Sequence, residues 1–204
     1  MTEALGVHIL PANKFHTLWE RTKVEIPGAR IIRRDKSKLI KALFFWGGKR
    51  YDSFGTTIGR TIYVATDWEE RVPDEQYLHL RHELVHLRQF RRWPFRCLDR
   101  TGLWRINALI YGLCYLLVLP ILWTFRAYFE RAGYEQTMLT VFELGWTQSS
   151  NVEHLAYWQR TMVKTFSTSK YIWMAPSWTT KRWVKRVFQR HQDGKLVNNT
   201  DRVE

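Results

Sequence analysis

Apolar residues recur along this chain in two rhythms, and the change between them divides it. Residues 1–30 have no sustained period and predict loop and short helix, closing at the turn Pro27-Gly28. Ala29–Arg34 reads as a first extended piece and Leu43–Trp46 as a second. The clearest strand region is Ser53–Thr66, where β-branched and aromatic residues dominate, the second half alternates, and glycines bound the pieces. Pro73-Asp74 then signals a helix start, with Asp74 as its cap, and Trp93-Pro94 stops that helix near Arg92. After it come an uncharged run over 106–125, a helix over about 124–142, and amphipathic helices over 151–166 and 177–190. Strands first and helices afterwards predict an α+β class: a small N-terminal antiparallel sheet followed by a mostly helical remainder. The length, 204 residues, suits one domain over 1–190 with a polar tail at 191–204.

Composition narrows the field. With 45% hydrophobic and 25% charged residues the chain has ordinary globular content, which excludes wholesale disorder. Its two cysteines, Cys97 and Cys114, form no CxxC pair, so a zinc ribbon or a disulfide scaffold is excluded. No basic stretch followed by an apolar one opens the first thirty residues, so a cleaved signal peptide is not expected and the expected location is cytoplasmic. Lys plus Arg number 32 against 19 Asp plus Glu, a net charge of +13 that attracts anions: nucleic acid, acidic lipid or an acidic partner.

Chemistry enters with His82-Glu83-Leu84-Val85-His86, an HExxH motif central to the predicted 74–92 helix. Four residues turn a helix by about 400°, so His82 and His86 leave one face a turn apart and can bind one ion. Glu83 lies between them in angle, close enough to hold a water without being a ligand. Zinc suits two imidazoles and a carboxylate, and keeps a fourth position open. With 7 His in 204 residues, random order yields this motif roughly once in seventy such chains. Tyr77, Leu80, Leu84 and Leu87 line one side of the wheel, and Leu78 and Val85 another, so the histidines fall within a largely buried helix. His79, a turn earlier on the same face, is a candidate third histidine or a supporting neighbour. The longer metzincin pattern needs Gly and His at positions 89 and 92, where this chain has Gln89 and Arg92.

The third ligand should come from Phe125–Met138, and there the chain resembles gluzincin metallopeptidases, whose HExxH is followed by a glutamate on a later helix. It is similar to small single-domain peptidases of phage and bacterial genomes, which have HELxH, an apolar Pro-containing stretch and an Arg-rich helix reading ExxAY. The resemblance covers roughly residues 55–140, with a weaker echo at Ser169–Pro176. It implies a zincin-like fold, a Zn2+ cofactor held by His82, His86 and Glu130, and hydrolysis of a peptide or protein substrate with Glu83 as general base. It also implies that the strand Arg60–Thr66 is a sheet edge able to pair with an extended substrate. Tyr134 stands where the better-known relatives have Asp. Periodicity points elsewhere: Phe125, Tyr128, Ala132, Glu135, Leu139 and Phe142 share a stripe, which makes Glu135 the alternative to Glu130.

The run Ile106–Phe125 is uncharged, broken by Asn107, Gly112 and Pro120, and long enough to span a bilayer. A single crossing, however, would put the histidines and Glu130 on opposite sides. If the three share an ion, the run folds back, either as core or as a membrane-associated hairpin. Arg88, Arg91, Arg92, Arg96 and Arg100 with Trp93 and Phe95, and Lys181–Arg190 with Trp183 and Phe188, mix cations with aromatics. They read as a solvated basic face or as contacts to lipid headgroups or a nucleic acid backbone; no motif supports sequence-specific nucleic acid binding. The competing functional class is a basic membrane- or nucleic-acid-associated accessory protein of phage or bacterial type, with a structural or inactive HExxH zinc site.

Overall fold

The computed structural model describes residues 13–43, 55–95, 97, 103–116, 123–144, 152–167 and 177–193. Seven helices and three strands run among them in chain order: α1 (Asn13–Glu25), β1 (Arg30–Arg33), α2 (Lys38–Leu43), β2 (Thr56–Ile58), β3 (Thr61–Val64), α3 (Pro73–Arg92), α4 (Trp104–Leu116), α5 (Trp123–Glu143), α6 (Val152–Ser167) and α7 (Ser177–Gln192). The class is α+β, a small sheet with a mostly helical remainder. Contacts group the chain into two compact units, Ile9–Gly112 and the chain from Leu113 onward.

In the first unit the sheet order is β1-β3-β2. It is mixed, not antiparallel as expected. β2 and β3 are joined by a two-residue turn, Gly59-Arg60, with Gly59 at φ 61, and such a turn forces an antiparallel pair. β1 reaches β3 through a long excursion that includes α2, and this permits parallel pairing of Arg30–Arg33 with Thr61–Val64. β3 is therefore the central described strand, with all four residues buried, and the expected edge at Arg60–Thr66 is corrected: the described edges are β1 and β2. The extended piece expected over 43–46 lies outside the described residues except for Leu43, which ends α2.

α3 covers the sheet through Leu80, Leu84 and Leu87, spaced so that they share one stripe. They pack with Ile62 and Val64 of β3 and with Ile26, Ala29 and Trp68, while Phe15, Leu18 and Trp19 of α1 close the cluster. Burying each such leucine contributes about 1.5–3 kcal/mol. The N-cap of α3 is Val72, not Asp74: Pro73 takes the first helical position, where its missing N–H and fixed φ do no harm. Asp74 and Glu75 then place negative charge in the first turn, where the helix dipole favours it.

α1 is held to α3 by charge. Arg88 grips the Glu25 carboxylate with Nε to Oε1 at 2.8 Å and Nη2 to Oε2 at 2.7 Å. Arg91 donates to the Glu25 carbonyl oxygen, and Arg92 Nη2 stands 3.9 Å from Oε1. Three of the arginines read as a solvated or anion-binding face thus close the C-terminal end of α1, where cations also suit the helix dipole; Arg96 and Arg100 lie outside the described residues.

Two polar groups of the apolar run, Asn107 and the Tyr111 hydroxyl, have uses in α4. Asn107 is fully buried; its Nδ2 donates to the carbonyls of Arg91 (2.6 Å) and Phe95 (2.8 Å), and its Oδ1 accepts from Phe95 N–H (3.3 Å). It satisfies the backbone leaving α3. One turn on, Tyr111 packs its ring 4.1 Å from that of Phe90. Ile106, Leu109 and Leu113 on the other side of α4 are exposed, so this part of the run is not all core. Among the described residues no helix is long and apolar enough to cross a membrane.

The second unit is built on α5, in which only Arg131 and Glu143 are exposed between Phe129 and Leu144. Met138 and Phe142 of α5 pack with Met162 of α6 and with Trp183, Val184, Val187 and Phe188 of α7. Trp183 and Phe188 are therefore core residues, and the exposed aromatic of α7 is Trp178, with Arg182 stacked 5.5 Å above its ring. Between α6 and α7 lies an open groove of about 680 Å³, rimmed by Arg160, Lys164, Lys181 and Lys185 over Val184 and Phe188.

The Glu25 clamp makes a pH-dependent contribution. Burial raises the Glu25 pKa, but the Arg88 hydrogen bonds and the neighbouring guanidinium charges outweigh it and leave the net value lowered. Stability from this group is therefore present above its unfolded value of 4.5 and is lost as pH falls through the lower folded value. Glu25→Gln is expected to cost about 1–2 kcal/mol at pH 7 in urea unfolding, with the difference from wild type vanishing in acid. An unchanged midpoint at pH 7 would show that the clamp contributes nothing.

Candidate metal centre

α3 packs its leucines against the sheet and α1 and meets α4 at its C-terminal end through Gln89, Phe90 and Arg91, and a polar strip of the same helix carries His79, His82, Glu83 and His86. Buried groups of this kind are costly unless each is satisfied. His86 and Glu83 are buried and His82 half-buried. The Nε2 atoms of His82 and His86 face each other at 3.2 Å. A tetrahedral ion with nitrogen bonds of about 2.0–2.1 Å sets two ligand nitrogens about 3.3 Å apart, so the pair already has the bite of a zinc site.

His86 is oriented from behind. Its Nδ1 lies 2.9 Å from Gln89 Oε1, and Tyr111 O–H donates to the same oxygen at 3.3 Å. An amide oxygen only accepts, so this contact favours the tautomer with the proton on Nδ1, which leaves on Nε2 the lone pair that a metal needs. Gln89, which on sequence served only to exclude the longer motif, is thus the residue that sets the tautomer. Its spacing from His86, three residues on a helix, was the available signal.

His82, His86 and Glu130 form a group that could hold a metal ion, one ligand atom from each, all within 4.8 Å of one another. Glu130 is buried. Glu135 is engaged elsewhere: its Oε1 accepts from Trp183 Nε1 at 2.9 Å and from Arg190 Nη2 at 3.1 Å, which ties α5 to α7. The periodic stripe that favoured Glu135 found the α5–α7 packing face. Tyr134 packs against that same core. The donor set of two imidazoles and a carboxylate fits zinc.

Glu83 stands outside the group. Its Oε2 accepts a 2.6 Å hydrogen bond from the Thr57 hydroxyl of β2, and both side chains are buried. His79 Nε2 is 3.7 Å from the other oxygen, too far for a hydrogen bond, and is buried without a partner. Burial holds the His79 pKa down to about 4, against the opposing pull of the Glu83 charge, so the two form no ion pair near neutrality. Its ring sits 5.5 Å from that of Trp68. Sequence reasoning missed Thr57 altogether, because a strand threonine carries no motif.

Gln89→Leu removes the acceptor behind His86 and is expected to weaken zinc affinity about 10–100-fold in a chelator competition, with the fold intact by circular dichroism. Affinity equal to wild type would show that Nδ1 needs no such partner. Comparison of the chain with protein-family models, with curated proteins and with solved structures finds no match in any of the three.

Proposed function

We propose that this chain is a zinc-dependent peptide-bond hydrolase of gluzincin type, with a zincin-like arrangement around α3. The observation that carries the reading is the convergence of His82, His86 and Glu130 within 4.8 Å, with Glu83, next to His82 in the chain, a buried carboxylate that is not a member of the group. A purely structural zinc site is closed by four protein ligands. Three ligands and an adjacent base are instead the equipment of hydrolysis.

Zinc held there would polarise a scissile carbonyl and bring a water's pKa toward about 7. The rest belongs to the chain. Glu83, held by Thr57 at one oxygen, takes the attacking water's proton and returns it to the departing amine. Gln89 and Tyr111 keep His86 in the tautomer that can bind. The outer side of β2, an edge among the described strands and the strand whose Thr57 holds Glu83, offers backbone groups to an extended peptide.

Expected outcomes separate the residues. Purified protein carries one zinc per chain; Glu83→Gln keeps it and loses about 10²–10⁴-fold in cleavage of denatured casein. His82→Ala and Glu130→Ala lose the metal in titration, whereas Glu135→Ala retains it and loses stability. Full turnover in the Glu83→Gln protein would end the proposed mechanism.

A second contact fits acidic lipid headgroups. The α6–α7 groove joins four cations to the apolar floor of Val184 and Phe188, a combination suited to a headgroup with its acyl root better than to a bare phosphodiester backbone. Sedimentation with vesicles containing phosphatidylglycerol is expected, and Lys181→Glu with Lys185→Glu is expected to abolish it. Equal binding to phosphatidylcholine vesicles would rule this contact out.

A further inference from the structure

Glu83 has two oxygens, and the fold brings a group to each. Thr57, at the middle of β2, donates to Oε2 at 2.6 Å. His79, one turn before Glu83 on α3, presents Nε2 at 3.7 Å from Oε1, buried and without a hydrogen-bond partner. The unpaired imidazole is costly where it sits, and the tautomer with the proton on Nε2 is the one a nearby carboxylate oxygen favours. Gly55, just before β2, makes the space: a Cβ added there would collide with Nε2 and Cε1 of His79 and come within 3.0 Å of Glu83 Oε1. The Trp68 ring lies 5.5 Å from that of His79.

We propose that Thr57 and His79, admitted by Gly55, are positioning residues that clamp the Glu83 carboxylate from both oxygens and fix its direction for proton transfer. The inference deepens the hydrolase reading and rests on it. A carboxylate on a flexible stem has several rotamers; two donors leave it one. The geometry matters because a general base works only within hydrogen-bond reach of its proton. A rotation that shortens the His79 contact by less than an ångström completes the second bond. Thr57 lies on the strand whose outer edge would take substrate, so a peptide pairing there presses on the residue that aims the base.

The test uses the full chain as purified and has two readouts. The first is kinetic, on a quenched-fluorescent peptide selected for cleavage. Thr57→Val is expected to lower kcat at least tenfold with KM and zinc content within twofold, and Thr57→Ser is expected to restore kcat to within about threefold. Gly55→Ala keeps every hydrogen-bonding group but displaces the imidazole, so it should lower kcat as His79→Ala does. The second readout needs no substrate: a double-mutant cycle of Thr57→Val with Glu83→Leu in urea unfolding, where a coupling of roughly tenfold in the unfolding constant is expected. A chain that cleaves no peptide yet keeps this coupling removes the hydrolase reading and leaves the clamp. Cleavage by Thr57→Val and Gly55→Ala at the wild-type rate, or additive effects in the cycle, overturns the clamp and leaves the hydrolase reading standing.

Discussion

The facing imidazoles of His82 and His86, 3.2 Å apart on a helix whose other sides are committed to leucine and aromatic packing, set the terms for everything around them. A helix buried on two sides cannot turn its histidines toward solvent without dismantling the contacts of Leu80, Leu84 and Leu87. The polar strip is therefore fixed in direction by apolar packing. Its members find partners where they stand: Gln89 for the back of His86, Thr57 for Glu83, and each other's Nε2 for His82 and His86, which with Glu130 could hold a metal ion. Core and site are two faces of one constraint.

That constraint explains why α4 contains Asn107 and Tyr111 amid apolar residues. Asn107 closes the backbone after α3, and Tyr111 adds a donor to the Gln89 oxygen that orients His86. Neither could be apolar without leaving a buried polar group of α3 worse satisfied. Along the sequence, Asn107 interrupts a hydrophobic run. In the fold Asn107 and Tyr111 are the means by which that run supports the motif helix.

Much of the architecture was legible because its signals are local. The limits of α3 follow from Pro73 and Trp93-Pro94, and α5, α6 and α7 lie within a residue or two of the expected helices over 124–142, 151–166 and 177–190. The pairing of strands was not legible, since parallel or antiparallel order depends on a connection and not on composition. HExxH announces its own chemistry through spacing alone. Thr57 and Gly55 do not: they act at a distance of more than twenty residues in sequence, through the register that sets β2 against α3. The pairing of the arginines was not legible for a related reason. Arg88, Arg91 and Arg92 look like a basic patch until Glu25, sixty-odd residues earlier, is brought to them.

Glu130 and Glu135 show what a hydrophobic stripe reports. A hydrophobic stripe identifies one face of a helix that is half exposed, but α5 is buried nearly all round, with Arg131 and Glu143 alone exposed between Phe129 and Leu144. Such a helix has several buried faces, and the most apolar one packs against its neighbours. In α5 that face meets α7, and Glu135 uses its position there to accept from the Trp183 indole and Arg190. Glu130, some 140° away around the helix, stands off that face and is the α5 carboxylate whose oxygen lies within 4.8 Å of ligand atoms of His82 and His86, a group that could hold a metal ion. The less amphipathic a helix is, the more its functional residues must be sought off the stripe.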